Sequence, residues 1–161
     1  MKKTMIGGAL RRTALALACL AAGSVHAAAA NEALALKPGS EYLMVANYPN
    51  NLNVVDVATA SVYKTCTLPD AFGPGLTQIS PDRRIAYILN NRFGTIYGIE
   101  LDSCKVTFRA EMSLADNERA KSIASFTVSA DGKELYAVQN PTTINRDHYR
   151  VGEPRFVVYD S

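Results

Sequence analysis

Residues 80 to 91 of the chain, SPDRRIAYILNN, return as residues 129 to 140, SADGKELYAVQN, after 49 positions. Both copies place a serine and an aspartate in a polar turn, followed by an apolar run rich in strand-forming residues. A second pair, residues 55 to 59 (VDVAT) and 99 to 103 (IELDS), repeats after 44 positions. The chain is therefore built from an internal repeat.

A repeat of this length that contains short strands and tight turns is typical of a β-propeller blade, whereas a helical solenoid would show a 3.6-residue rhythm. The predicted fold class is all-β, with blades of four antiparallel strands and about two and a half blades present. The second unit supplies all four strands, at Gly75–Ile79, Ile85–Asn90, Thr95–Leu101 and Val106–Met112. The first unit supplies three strands and a weak opening strand, at Tyr42–Asn47, Leu52–Val57, Val62–Leu68 and Ala33–Leu36. The third unit is incomplete, with strands at Ser125–Val128, Leu135–Gln139 and Arg155–Tyr159.

The predicted domain organisation is a signal peptide over residues 1–28 followed by a partial propeller over 29–161. Within the propeller, blade 1 covers about 33–68, blade 2 about 75–112 and blade 3 about 125–161. Alternation inside the strands is incomplete, so both faces of a blade must be buried between neighbours. We therefore expect the chain to be the front part of a longer propeller or a truncated product.

The first residues predict export. A basic start, an apolar stretch over Ala14–Gly23 and the small-residue site Val25-His26-Ala27 are typical of a secretory signal peptide, too short to span a bilayer. Two variants stay open, a twin-arginine signal at Arg11-Arg12 and a lipoprotein signal at Cys19. The expected location is the periplasm.

Removal of this leader changes the charge balance. The chain has 17 Lys and Arg against 15 Asp and Glu, and four of the basic residues lie in the leader. The mature chain is then slightly acidic, so the composition gives no support to nucleic-acid binding.

Two cysteines, Cys66 and Cys104, remain after cleavage. An oxidising compartment favours a disulfide between them. The repeat alignment argues the other way, because it places Cys66 about 20 Å deeper along an outer strand than Cys104. The sequence leaves the two alternatives open.

The long connections are predicted to lie on one face of the ring, at 69–76, 113–122 and 141–154. Binding residues tend to lie on loops that a rigid scaffold holds, so this face is the candidate for partner contact. Its candidate residues are Phe72, Arg146, His148 and Tyr149. A tolerated surface insertion is the alternative explanation of the third loop.

The sequence gives few signs of catalysis. His148 stands alone in a charged loop without a second ligand at metal-binding spacing, so no metal site is predicted. Asp82 and Asp131 occupy the same turn position, where a carboxylate accepts a hydrogen bond from the amide two residues on. We predict no catalytic, cofactor-binding or metal-binding residue in this chain. A self-contained hydrolase is disfavoured, because a nucleophile and base at usable spacing are missing.

Residues 41 to 57, EYLMVANYPNNLNVVDV, together with residues 78 to 84 and 99 to 105, resemble the amino-terminal part of the β subunit of quinohemoprotein amine dehydrogenase. The turn-and-strand signature itself is shared with many bacterial propellers of the YVTN type. The resemblance implies a seven-bladed propeller subunit in a periplasmic complex that oxidises primary amines.

The same resemblance implies a division of labour between subunits. A di-haem cytochrome c subunit would carry haem c, and a small subunit would carry cysteine tryptophylquinone. The chain has no Trp and no Cys-x-x-Cys-His motif, as expected for a subunit without these groups. The alternative function is that of a non-enzymatic exported propeller that binds protein or peptide partners. No nucleic-acid partner and no membrane span are expected.

Overall fold

The computed structural model describes residues 35–123 and 126–161, in which twelve strands and no helix are found. The first six strands are β1 Tyr42–Asn47, β2 Asn51–Asp56, β3 Ser61–Thr67, β4 Thr77–Ile79, β5 Ile85–Asn90 and β6 Thr95–Glu100. The remaining six are β7 Val106–Glu111, β8 Glu118–Lys121, β9 Phe126–Val128, β10 Glu134–Ile144, β11 Tyr149–Val151 and β12 Arg155–Asp160. The predicted signal peptide lies outside the described residues. Of the predicted opening strand at 33–36, only residues 35 and 36 are described, and they belong to no strand.

The strands form three antiparallel sheets in chain order. Blade 1 has the order β1-β2-β3, and blade 2 has the complete order β4-β5-β6-β7. Blade 3 pairs β9 and β12 with the first half of β10, while β8 and β11 pair with its second half. This succession of small meandering sheets confirms the predicted fold class, an all-β partial propeller.

Blade 2 is buried on both faces, as the incomplete alternation predicted. Ile88 and Tyr97 belong to a core cluster shared with blade 1, which contributes Leu52. Their chain neighbours Leu89 and Ile96 belong to a second cluster shared with blade 3. Because successive strand residues point to opposite faces, one strand supplies both interfaces, and each large side chain so buried stabilises the fold by about 1.5–3 kcal/mol.

Cys66 and Cys104 form a disulfide in the structure, with their Cα atoms 5.2 Å apart. The distance argument against this bridge was wrong. That argument compared the positions of the two cysteines as if both lay along one outer strand. Cys66 lies in β3, whereas Cys104 lies in the turn between β6 and β7 of the next blade. Lys64 of β3 also donates to the carbonyls of Leu101 and Asp102 in this turn, so the outer strand of blade 1 lies against the turn of blade 2. The bridge joins two blades.

The segment 141–154, predicted as a long connection, contains strand at both sides of a short turn. Strand β10 continues through Pro141 to Ile144, turns at residues 145–148 and returns as β11. Its other edge is covered by β8, which was predicted as part of a loop. Blade 3 therefore carries a projecting β-hairpin that extends its second strand.

The outer faces of the two terminal blades are open. In blade 3, Phe156 and Val158 of β12 are exposed, and Tyr136 of β10 stacks on Phe156 with ring centroids 5.9 Å apart. In blade 1, Leu43 and Val45 of β1 are exposed in the same way. These faces have the apolar character of the buried interfaces within the arc.

Candidate interaction face

The turns between the second and third strands of each blade and the connections between blades lie on one side of the arc, here called the long-loop face. Main-chain hydrogen bonds join these loops to one another. The amide of Gly73 donates to the carbonyl of Pro49 at 2.8 Å, and the amide of Asn91 donates to the carbonyl of Phe72 at 2.9 Å. The amide of Ser122 donates to the carbonyl of Phe93 at 2.9 Å. The face is therefore a continuous, braced surface that crosses all three blades.

Three aromatic side chains from different loops form an aromatic patch on this face, namely Tyr48, Phe72 and Phe93. Tyr48 is 68% exposed and Phe72 is 48% exposed, although they contact each other edge to face at 5.2 Å. The ring of Phe93 lies over Gly75, where an added Cβ atom would stand 3.0 Å from it. Aromatic side chains held in place while exposed are the residue type enriched in protein interfaces.

Exposed aliphatic side chains extend the patch toward blade 3. Leu114 is 69% exposed and Ile123 is 60% exposed. Both lie in the connection between blades 2 and 3, next to the turn that carries Phe93. A large exposed apolar area rimmed by polar groups is typical of a surface that binds another macromolecule.

The turn that presents Phe93 has an unusual backbone. Asn91, Arg92 and Phe93 all have positive φ angles, 52°, 57° and 69°. Three consecutive residues with positive φ are energetically unfavourable when each carries a Cβ atom. The Asn91 side chain holds it in place, because its Oδ1 accepts from the Phe72 amide at 2.9 Å and its Nδ2 donates to Thr95 Oγ1 at 3.1 Å. Strain maintained in this way is characteristic of functional surfaces.

The four predicted contact residues occupy two separate parts of the long-loop face. Phe72 belongs to the aromatic patch between blades 1 and 2. Arg146, His148 and Tyr149 form the tip of the hairpin of blade 3, where the Asn145 amide donates to the His148 carbonyl at 2.9 Å. Tyr149 is strongly exposed, and His148 Nδ1 lies 2.7 Å from Asp147 Oδ1. That these four residues contact a partner stays a prediction.

Tyr48, Phe93 and Leu114 were not recognised from the sequence as candidate residues. Tyr48 precedes a proline in a predicted turn, and Phe93 lies in a predicted turn of Asn, Arg and Gly. The available signal was the occurrence of large apolar residues inside turns, since turns are normally built from small and polar residues.

A polar network fastens the connection between blades 2 and 3. Two guanidinium nitrogens of Arg155 donate to the two carboxylate oxygens of Glu118, at 2.6 Å and 3.1 Å. Arg155 also donates to Gln139 Oε1 at 2.6 Å and to the carbonyl of Met112 at 3.0 Å. The Arg155 hydrogen bond lowers the pKa of Glu118 below its usual value, because it stabilises the carboxylate. The pair fixes β8, and with it one side of the face.

Three further ionisable groups serve the fold. Asp82 and Asp131 accept from the amides of Arg84 and Lys133, both at 3.1 Å, as the turn prediction required. Hydrogen bonds from Ser80 and Ser129 are the main cause that lowers the pKa of these two aspartates. Buried Lys64 donates to the carbonyls of Leu101 and Asp102, and desolvation lowers its pKa.

Among residues 35–123 and 126–161, no group of three or more His, Cys, Asp or Glu side chains is placed to hold a metal ion. The same part of the chain contains no helix long and apolar enough to cross a membrane. The long-loop face presents exposed apolar side chains from several loops.

Comparisons with known proteins return only distant structural similarity. No protein-family model matches the chain, and no curated protein matches it. Among solved structures, dihydro-heme d1 dehydrogenase NirN in complex with DHE is 16% identical with a TM-score of 0.47, over 70% of this chain and 23% of that one. The periplasmic gluconolactonase PpgL of Pseudomonas aeruginosa is 15% identical with a TM-score of 0.42, over 72% and 41%. A protein from Lactobacillus plantarum is 17% identical with a TM-score of 0.43, over 75% and 44%. The chain spans less than half the length of each of these structures.

Proposed function

We propose that this chain is the propeller scaffold of a periplasmic quinohemoprotein amine dehydrogenase, or a part of it, and that it docks its partner subunits through the long-loop face. The observation that carries the docking proposal is the aromatic patch, in which Tyr48 and Phe72 stay exposed although main-chain hydrogen bonds fix their loops. The resemblance of residues 41–57 to the β subunit of that enzyme supports the choice of complex. This stretch forms β1, β2 and the turn that carries Tyr48.

The proposed role is structural. In the proposed complex the oxidation of primary amines would depend on the quinone of a small subunit, and electrons would leave through a di-haem cytochrome c. The absence of Trp from this chain agrees with a quinone carried elsewhere. The contribution of this chain would be to position its partners, because the chemistry belongs to their cofactors.

Reconstitution tests this function. The chain is co-expressed in the periplasm with a di-haem cytochrome c and a small Cys- and Trp-rich polypeptide encoded beside its gene, and amine-dependent reduction of an artificial acceptor is measured. We expect turnover by the complex and none by the chain alone. Turnover by the isolated chain, or a full complex without amine oxidation, would contradict the proposal.

The double variant Tyr48→Ser with Phe72→Ser tests the docking face. Loss of two anchoring aromatic residues weakens an interface by about 2–4 kcal/mol, or roughly thirtyfold and more in Kd. Val62→Ser is the matched control, since Val62 is also exposed but lies in β3 away from the loops. Equal loss of binding in both variants, with both folded by circular dichroism, would exclude the aromatic patch as the interface.

A non-enzymatic propeller that binds a protein or peptide is the second candidate. The exposed patch favours it equally, because aromatic and aliphatic docking residues carry no information about redox chemistry. The reconstitution experiment distinguishes the two functions. A partner bound through the aromatic patch, without amine oxidation and without neighbouring genes for the two redox subunits, would support the second function.

A further inference from the structure

A cavity of about 950 Å³ opens between the turn that joins β5 to β6, the outer strand β7 and the connection to blade 3. We call it the basic cleft, because its charged lining residues are mostly cationic. These residues are Arg92, Arg109, Glu111, Asp116, Arg119 and Lys121. Cavities of this size are typical of sites for small ligands.

One acid in the lining is already neutralised. Arg109 donates from two nitrogens to Glu111 Oε1, at 3.0 Å and 2.9 Å. The other oxygen of the same carboxylate accepts from Thr95 Oγ1 at 2.9 Å. Because both oxygens of Glu111 are engaged, this acid does not offset the other cations of the cleft.

Three cations of the lining, Arg92, Arg119 and Lys121, accompany one remaining carboxylate, that of Asp116. Arg119 donates through one nitrogen to the carbonyls of Asp116 and Glu118, at 3.0 Å and 2.7 Å, so its position is fixed while its charge is retained. The side chains of Arg92 and Lys121 form no ion pair within residues 35–123 and 126–161. The cleft keeps a net positive charge.

The position of Arg92 is also unusual. It is the central residue of the strained turn, with a positive φ of 57°. The hydrogen bonds of Asn91 to the Phe72 amide and to Thr95 maintain this conformation without any contribution from the Arg92 side chain. Among the residues that the structure describes, the Arg92 guanidinium has no ion-pair partner, and a fixed backbone holds it at the cavity, where it can bind an anion from solution.

We propose that the basic cleft binds a small anion with two or more carboxylate or phosphate groups. Arg92, Arg119 and Lys121 would contact the charged groups, and exposed Leu114 would contact the carbon skeleton of a carboxylate ligand such as citrate. Guanidinium groups suit carboxylate and phosphate oxygens because they donate in a fixed planar geometry. The site adjoins the aromatic patch, because Arg92 precedes Phe93 in the same turn and Leu114 borders both, but the proposal does not rest on the amine dehydrogenase complex.

Calorimetric titration of the full chain at low ionic strength tests this site, with citrate and pyrophosphate as probes and acetate as the singly charged comparison. We expect at least one of the two multiply charged probes to bind more tightly than acetate, and to bind less tightly as salt is added. The tighter probe identifies the class of anion. No heat from citrate and pyrophosphate, or acetate bound equally well, would overturn the proposal.

Variants locate the bound anion. Arg92→Gln and Lys121→Gln should each weaken binding about tenfold, as expected for the loss of one charge-assisted hydrogen bond. Lys133→Gln is the matched control, because Lys133 is an exposed lysine in a turn remote from the lining residues. Equal weakening in the control and the two cleft variants, with all three folded, would show nonspecific binding and contradict the site.

Discussion

Single polar side chains join the blades in addition to apolar packing. Arg155 of β12 reaches Glu118 of β8, Gln139 of β10 and the end of β7 at once. The guanidinium is therefore satisfied by groups from β8, β10 and the residue that follows β7, and it holds blade 3 against the end of blade 2. A bidentate pair with further hydrogen bonds is the arrangement in which a partly buried ion pair contributes to stability.

Replacement of Glu118 by Gln should make stability less dependent on pH. The pKa of Glu118 is lowered in the folded state, so its contribution is complete above the ordinary value of 4.5 and is lost as the pH falls through the folded value. Urea unfolding at neutral pH should show Glu118→Gln less stable by about 2 kcal/mol. The difference from the wild type should shrink below pH 4.5. A difference that stays constant down to strongly acidic pH would contradict the role of this pair.

A residue larger than glycine at position 98 should destabilise the fold. A Cβ atom added there would stand 2.8 Å from Cβ of Phe108 and 3.0 Å from the ring of Tyr87. Gly98→Ala should therefore lower the free energy of unfolding by about 1–3 kcal/mol, as overpacking does. Thr127→Ala, at an exposed position of β9, is the control and should stay within about 0.5 kcal/mol of the wild type. Equal unfolding midpoints for the two variants would contradict the close packing of blade 2.

Only one of the three residues of the aromatic patch was predicted from the sequence. Phe72 was selected because it lies in a long connection, and the structure places it in the aromatic patch. Tyr48 and Phe93 come from short turns, so loop length gave no reason to select them. Their juxtaposition depends on hydrogen bonds between loops of different blades, which no local pattern encodes.

At the scale of elements, the repeat predicted the strands of the blades. It did not predict the extension of β10 or the strand β8. The strands of blade 2 agree with their predicted bounds to within two residues. The extension of β10 was missed because Pro141 normally ends a strand, and β8 was missed because ERAK has no alternation of apolar residues. Tertiary contacts decide both, since β8 and β11 pair with the extension of β10, and Arg155 from β12 holds Glu118 of β8.

The disulfide between β3 and the β6–β7 turn should contribute strongly to stability. It spans 38 residues, so removal of the cross-link releases chain entropy worth about 4 kcal/mol in the unfolded state. Cys66→Ala with Cys104→Ala should lower the free energy of unfolding by up to this amount, measured by urea unfolding. Titration of the denatured, unreduced wild type should find no free thiol at these two positions. Two free thiols in the mature chain would contradict the bridge.

At the scale of the whole molecule, the arc buries both faces of blade 2 and exposes the outer faces of blades 1 and 3. Phe156 is 67% exposed although it lies within a regular strand. Exposed apolar sheet faces and unpaired strand edges favour association. We expect this chain, studied alone, to self-associate through these faces.

Phe156→Lys with Val158→Lys tests this expectation. The charges should oppose association of the open face of blade 3 without disturbing the buried face of β12, which carries Tyr159. Sedimentation velocity should show a larger monomer fraction for this variant than for the wild type. The control Tyr149→Lys with Val151→Lys also replaces two exposed apolar residues, lies on the projecting hairpin and should leave association unchanged. A monomeric wild type at high concentration would contradict the expectation.

Whether neighbouring sheets pack face to face as blades is tested most directly by nuclear Overhauser contacts from the adjacent residues Ile88 and Leu89. The described packing predicts that the Ile88 methyl groups contact Leu52 or Leu68 of blade 1, whereas the Leu89 methyl groups contact Leu135 or Ala137 of blade 3. Contacts from both residues to the same sheet, or helical amide-to-amide contacts across residues 85–90, would contradict the propeller arrangement.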